Sequence, residues 1–135
     1  MRKLVPTWKI SRKAVLSNFS FLQTQLGFPK FKKRWMRDEY IINTRKNDIE
    51  FSCTIFMFSS DSPSLAIINH AEPLNFKGNT PTNYYPLKNF ALDYELKNVS
   101  EIGRENIEDY VKEIAEFLKS KPQIFSGNLT DYNPT

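Results

Sequence analysis

Between residues 49 and 58 the chain alternates. Ile49, Phe51, Cys53, Ile55 and Met57 recur at every second position, with Glu50, Ser52 and Thr54 between them. That is the period of a β-strand with one buried face. Turn-forming residues flank it: Arg45-Lys46-Asn47-Asp48 before, and Ser59-Ser60-Asp61-Ser62-Pro63-Ser64 after. Residues 39–44 predict a strand that makes a hairpin with it, and residues 64–70 a third, giving an antiparallel meander. Phe90, Leu92, Tyr94 and Leu96 alternate with Ala91, Asp93, Glu95 and Lys97, which predicts a fourth strand with one face towards water.

Two stretches carry the helical period instead. Val15, Phe19, Leu22 and Leu26 are spaced by four, three and four, which predicts a helix over residues 12–26. Ser11 can cap its first turn, and Gly27 supplies a left-handed stop. Ile107, Tyr110, Val111, Ile114, Phe117 and Leu118 form a broad stripe that predicts a helix over residues 104–121, ended by Pro122. Residues 1–11 read as a basic arm, residues 30–37 as a loop, residues 71–89 as a long irregular segment, and residues 128–135 as a frayed tail. The prediction is one α+β domain over residues 1–135. It has two layers, a four-stranded antiparallel sheet with an N-terminal and a C-terminal helix packed on one face.

Composition adds three constraints. A chain of 135 residues can bury a core without staples. Its one cysteine, Cys53, lies on the apolar face of the alternating strand and reads as a small buried hydrophobe, with no intramolecular disulfide possible. No stretch reaches the roughly 18 apolar residues of a membrane span, and the N-terminus lacks the apolar run of a secretory signal, so a cytoplasmic protein with no membrane partner is expected.

Charge is unevenly placed. Residues 1–37 hold ten Lys/Arg and no Asp/Glu, a charge of +10; residues 38–135 hold nine and fifteen, a charge of −6. Either the basic part meets an anionic partner, or it lies against the acidic part of the same molecule. Lys30, Lys32, Lys33, Arg34, Trp35 and Arg37 form the densest cluster and are the candidate anion or nucleic-acid contact: cations for a phosphate backbone, and an aromatic to stack on a base. The other reading is a solvated loop with its aromatics turned inward.

The pattern contains little that resembles a catalytic site. The only histidine, His70, ends a strand two residues before Glu72, but no nucleophile is tied to the pair. Two ligands are too few for a typical zinc site, and no glycine-rich phosphate loop or hydrolase motif is present. A non-enzyme without cofactor is expected. Phe56 and Phe58 break the polar side of the central strand. Either the 71–89 segment folds over them with Phe76, Tyr84 and Tyr85, or an apolar patch stays open. These five residues are the candidate protein interface.

Phe19-Ser20-Phe21-Leu22 with Leu26-Gly27-Phe28, and Ile114-Ala115-Glu116-Phe117-Leu118 with Pro122-Gln123-Ile124-Phe125-Ser126-Gly127, resemble segments of small bacterial α+β proteins of unknown function. Some of those look like immunity proteins encoded beside polymorphic toxins. The resemblance implies no catalytic residue and no cofactor, and a toxin as partner. Inhibitors of nuclease toxins are expected to be acidic. The basic first third therefore implies a toxin of another kind, or binding through the acidic face of the second helix. The leading expectation is a non-enzymatic protein-binding domain whose partner is a toxin, another protein or a second copy. The alternative is nucleic-acid binding through residues 1–37.

Overall fold

The structure, a computed structural model, describes residues 5–58, 63–73, 75–78, 80–89, 104–130 and 132. Helix α1 (Thr7–Asn18) is followed by the single turn α2 (Phe21–Thr24). Strands β1 (Lys32–Met36), β2 (Glu39–Lys46), β3 (Ile49–Phe56) and β4 (Ser64–Asn69) come next. A small hairpin, β5 (Phe76–Lys77) and β6 (Thr80–Pro81), precedes β7 (Tyr84–Pro86), and helix α3 (Ile107–Ser120) closes the order. The main sheet is antiparallel with five strands ordered β1-β2-β3-β4-β7.

The meander over residues 39–70 forms as the alternation predicts. Phe51 pairs with Thr44 on one side and Ile67 on the other, and Cys53 with Ile42 and Leu65. That register puts Ile42, Phe51, Cys53, Ile55, Leu65 and Ile67 on one face, and all are buried. Phe19, at the end of α1, stacks on Phe51 with ring centroids 4.5 Å apart. α1 packs against both β3 and α3. α3 buries Ile107, Tyr110, Val111, Ile114, Ala115, Phe117 and Leu118, and Tyr110 lies beside Cys53. Both helices therefore cover the same sheet face. After α3, a 3₁₀ turn (Pro122–Ser126) buries Ile124 and Phe125, and Gly127 ends it at φ 99°.

Among the described residues the sheet has five strands, two of them not expected, and these additions have physical reasons. Residues 30–37 are not a loop, because Lys32–Met36 is an edge strand paired with β2. All five of its side chains are exposed, so neither face shows an apolar alternation. Tyr84–Pro86, inside the segment expected to be irregular, pairs with β4 at the opposite edge. Pro86 is tolerated there because an edge strand need not donate on its outer side. The fourth strand expected around residues 90–97 lies outside the described residues.

The first helix also differs. It begins at Thr7, inside the expected arm, and stops at Asn18 instead of running to residue 26. Its early stripe is hidden in the sequence because a buried position is polar: Ser11 is fully buried, and its hydroxyl has no hydrogen-bond partner among the described residues. Ser11 is thus an interior residue, not a cap. The helix ends where side chains compete for its carbonyls. Asn18 Nδ2 donates to the Ala14 carbonyl at 2.8 Å, and Ser20 Oγ to the Ser17 carbonyl at 3.1 Å. Gly27 does adopt the left-handed conformation, at φ 74°, and the Phe28 N–H returns to the Leu22 carbonyl at 2.8 Å. The tail is not wholly frayed: Leu129 and Tyr132 pack on the core, and Tyr132 meets Tyr85 edge-on at 4.9 Å.

The buried phenol of Tyr110 gives the domain an alkaline limit. Burial, with a smaller contribution from neighbouring Cys53, pushes its pKa from 10.0 up to about 12. A group raised in the folded state contributes stability that is complete below its unfolded pKa and is lost as pH climbs through the folded value. The urea midpoint should therefore fall between pH 10 and pH 12, and Tyr110→Phe should make that fall shallower. Identical pH profiles for the two proteins would remove the phenol from the account.

Candidate functional site

The face of the sheet turned away from the helices is where the candidate residues gather. Arg37 and Asp38 form a two-residue turn between β1 and β2, with Arg37 left-handed at φ 57°. The turn fixes the register Met36↔Glu39↔Phe56, which sets Met36 and Phe56 in one row on this face. Met36 is 51% exposed and Phe56 41%. Phe58, two residues past Phe56, is 83% exposed. Ile41, half-buried, stands in the next row beside Arg34. One end of the sheet thus presents exposed apolar side chains on either side of the half-buried Glu39, with Arg34 in the next row.

Not all five expected interface residues belong to it. The 71–89 segment leaves Phe56 and Phe58 exposed, so the expected cover does not form. Tyr84 shares the outer face but pairs with Ile68 opposite Glu50. Glu50 is six residues from Phe56 along β3, or about 20 Å. Tyr85 points to the helix-covered face, meets Tyr132 and donates its hydroxyl to Glu72. Burial and the adjacent Glu72 carboxylate both push the Tyr85 pKa up. Phe76 is exposed on the separate β5–β6 hairpin. Met36 and Ile41 belong to the patch, and the sequence reading missed them. The signal was the two-residue turn at Arg37-Asp38, which aligns Met36 with Phe56 once β1 is recognised as a strand.

The basic cluster lies along the β1 edge. Register places Lys32 and Arg34 with Met36 on the outer face, and Lys33 with Trp35 on the helix side. Among the described residues, none of Lys30, Lys32, Lys33, Arg34 and Arg37 has a carboxylate within ion-pair distance. α1 packs against α3, yet no ion pair joins its cations to the α3 carboxylates among the described residues. Trp35 is 44% exposed and edge-packed, 5.1 Å from Trp8 and 4.8 Å from Tyr40. The Arg12 guanidinium covers Trp8 at 5.0 Å and Tyr40 at 5.9 Å. The tryptophan expected to be a stacking platform is therefore part of a side-chain cluster that ties α1 to the edge strand.

His70 has a different carboxylate partner from the one its neighbours in sequence suggest. Its Nε2 donates to Glu50 Oε1 at 2.8 Å, across the strand pair, and Glu50 Oε2 accepts from Asn43 Nδ2 at 3.2 Å. Glu72 instead accepts from Tyr85 and from Asn69. The pair fixes the imidazole ring, but no hydroxyl or thiol is hydrogen-bonded to it among the described residues. No group of three metal-ligating side chains occurs among the described residues. A hollow of about 630 Å³ opens beside His70, Glu72 and Tyr84. Another of about 460 Å³ lies over Phe28, Ile49 and Phe125, with Lys46 beside it. The Lys46 ammonium already donates to the Leu26 carbonyl at 2.6 Å, closing the end of α2. No helix among the described residues is long and apolar enough to cross a membrane. Comparison with known protein families, curated proteins and solved structures finds no match to this chain.

Proposed function

We propose that the chain is a non-enzymatic protein-binding domain that receives its partner on the end of the sheet carrying Met36, Phe56 and Phe58. The observation that carries this reading is the register Met36↔Glu39↔Phe56, which sets exposed apolar side chains on both sides of one carboxylate, on a face the described helices leave uncovered. Monomers seldom expose contiguous apolar area, and a patch with a polar rim is the usual form of a docking site. A toxin held by an immunity-type protein is one partner of this kind, a reading supported by the sequence resemblance alone.

The test is a photo-crosslinking residue placed at Phe58 in cells expressing the protein. A discrete protein adduct is expected. Phe56→Ser should remove most of it, because loss of an apolar interface anchor costs about 1–2 kcal/mol, or roughly tenfold in affinity. Phe76→Ser, an exposed aromatic outside the patch, should leave it unchanged. An adduct that survives Phe56→Ser would overturn this reading. A nuclease-sensitive adduct would favour the second one, nucleic-acid binding through residues 1–37. What supports that alternative is the cluster Lys32, Lys33 and Arg34, none of which has a carboxylate within ion-pair distance among the described residues.

A further inference from the structure

We infer, building on the protein-binding reading above, that the partner enters as an extended segment of alternating acidic and apolar residues, adding a strand to the free edge of β1. β1 pairs only with β2 among the described residues, so its outer edge presents a row of unused backbone donors and acceptors. All five of its residues are exposed. Such an edge is a template for strand addition, where the main chain gives affinity and alternate side chains give specificity. The other edge of the sheet is a poorer template. β7 has three residues, and one is Pro86, which has no N–H.

Charge selects the occupant. Lysine on an edge strand normally prevents pairing with a second copy, since like charges directly opposite one another destabilise a strand pair. Two β1 strands brought edge to edge would set cation against cation. The same cations favour an acidic strand. Lys32 and Arg34 alternate onto the outer face, while Trp35 on the helix side is backed by Trp8 and Tyr40. A segment reading acidic, apolar, acidic, apolar would set its carboxylates against Lys32 and Arg34. On the helix side, one apolar residue would lie beside Trp35 and the next along the Lys33 stem. Met36 ends the same row of outer-face side chains, so the added strand would lead into the patch at Phe56. A nucleic acid would use these cations too, and a base could stack on Trp35, but it would leave the strand edge unpaired.

The probe is a short fluorescent peptide of alternating Glu and Val, titrated against the whole protein by anisotropy. Binding should slow exchange of the alternate amides of residues 32–36 that point away from β2 by at least about tenfold. The double variant K32E/R34E should weaken binding by about tenfold or more. The same variant should gain affinity for the matching Lys-Val peptide. A Glu-Val peptide methylated on its backbone nitrogens keeps its charge but loses its donors, so it should not bind. Equal binding of the methylated peptide would reduce the effect to charge alone and overturn the inference, as would tighter binding of duplex DNA or RNA at equal salt. If no peptide binds while the Phe58 adduct persists, strand addition fails and the docking patch stands. If the adduct is absent as well, the protein-binding reading fails with it.

Discussion

Phe51→Ala is expected to remove about 3–5 kcal/mol of stability, the usual loss for deleting a buried phenylalanine side chain. Phe51 sits in the middle of the central strand and is fully buried. Its ring stacks on Phe19 at 4.5 Å and lies 6.1 Å from Phe31. The substitution would therefore leave a cavity where helix α1 closes on the sheet and where the chain leaves α2 for β1. Domains of this size hold about 5–15 kcal/mol in total, so the variant should be marginal at room temperature. Urea denaturation checks it, with a lower midpoint and an unchanged slope as the expected result. Phe51→Leu keeps most of the volume and should lose far less. A loss below about 1 kcal/mol for Phe51→Ala would mean that the cavity collapses or that α1 does not close the core here.

Residues that were legible in the sequence owe it to one-sided burial. β3 alternates because one face meets two helices, and α3 carries a continuous stripe because most of one side is buried. Elements lacking that asymmetry did not register. β1 has exposed side chains on both faces and is held by its backbone pairing to β2. The start of α1 is masked by Ser11, a polar residue at a buried position, and its end by the Asn18 and Ser20 side-chain bonds to helix carbonyls. β7 is short and ends in a proline, so its local chemistry reads as a turn.

The candidate site divides along the same line. Phe56 and Phe58 were visible as breaks in an alternation, a local signal. Their clustering with Met36 depends on the register of β1 against β2 and β2 against β3, which no single stretch of sequence contains. The dispersal of Phe76, Tyr84 and Tyr85 onto a hairpin, the far end of the outer face and the core side is likewise a matter of pairing. His70 follows the same rule. Its carboxylate partner is Glu50, twenty residues away in sequence and one strand away in space, instead of Glu72 nearby.

Cys53 should resist a thiol reagent in the native protein at least about a thousandfold better than in the unfolded chain. It is fully buried on β3, between Ile42 and Leu65 on the neighbouring strands, with Tyr110 of α3 beside it. Burial pushes its thiol pKa well above the ordinary range, and the thiolate is the reactive form. Its side chain points to the helix-covered face, so the α3 layer must lift from the sheet before a reagent can reach it. Labelling should then follow the population of the opened domain, rising with urea at the slope of equilibrium unfolding. The two core predictions are linked by this route. If Phe51→Ala removes about 3 kcal/mol, Cys53 in that variant should label faster by roughly a hundredfold under the same conditions. Fast labelling of the native wild-type chain would show that the strand centre is reachable, and Cys53 would no longer count as a buried hydrophobe. Slow labelling in both proteins, despite a lowered urea midpoint in the variant, would show that Cys53 opens by a path that bypasses the Phe19–Phe51 stack.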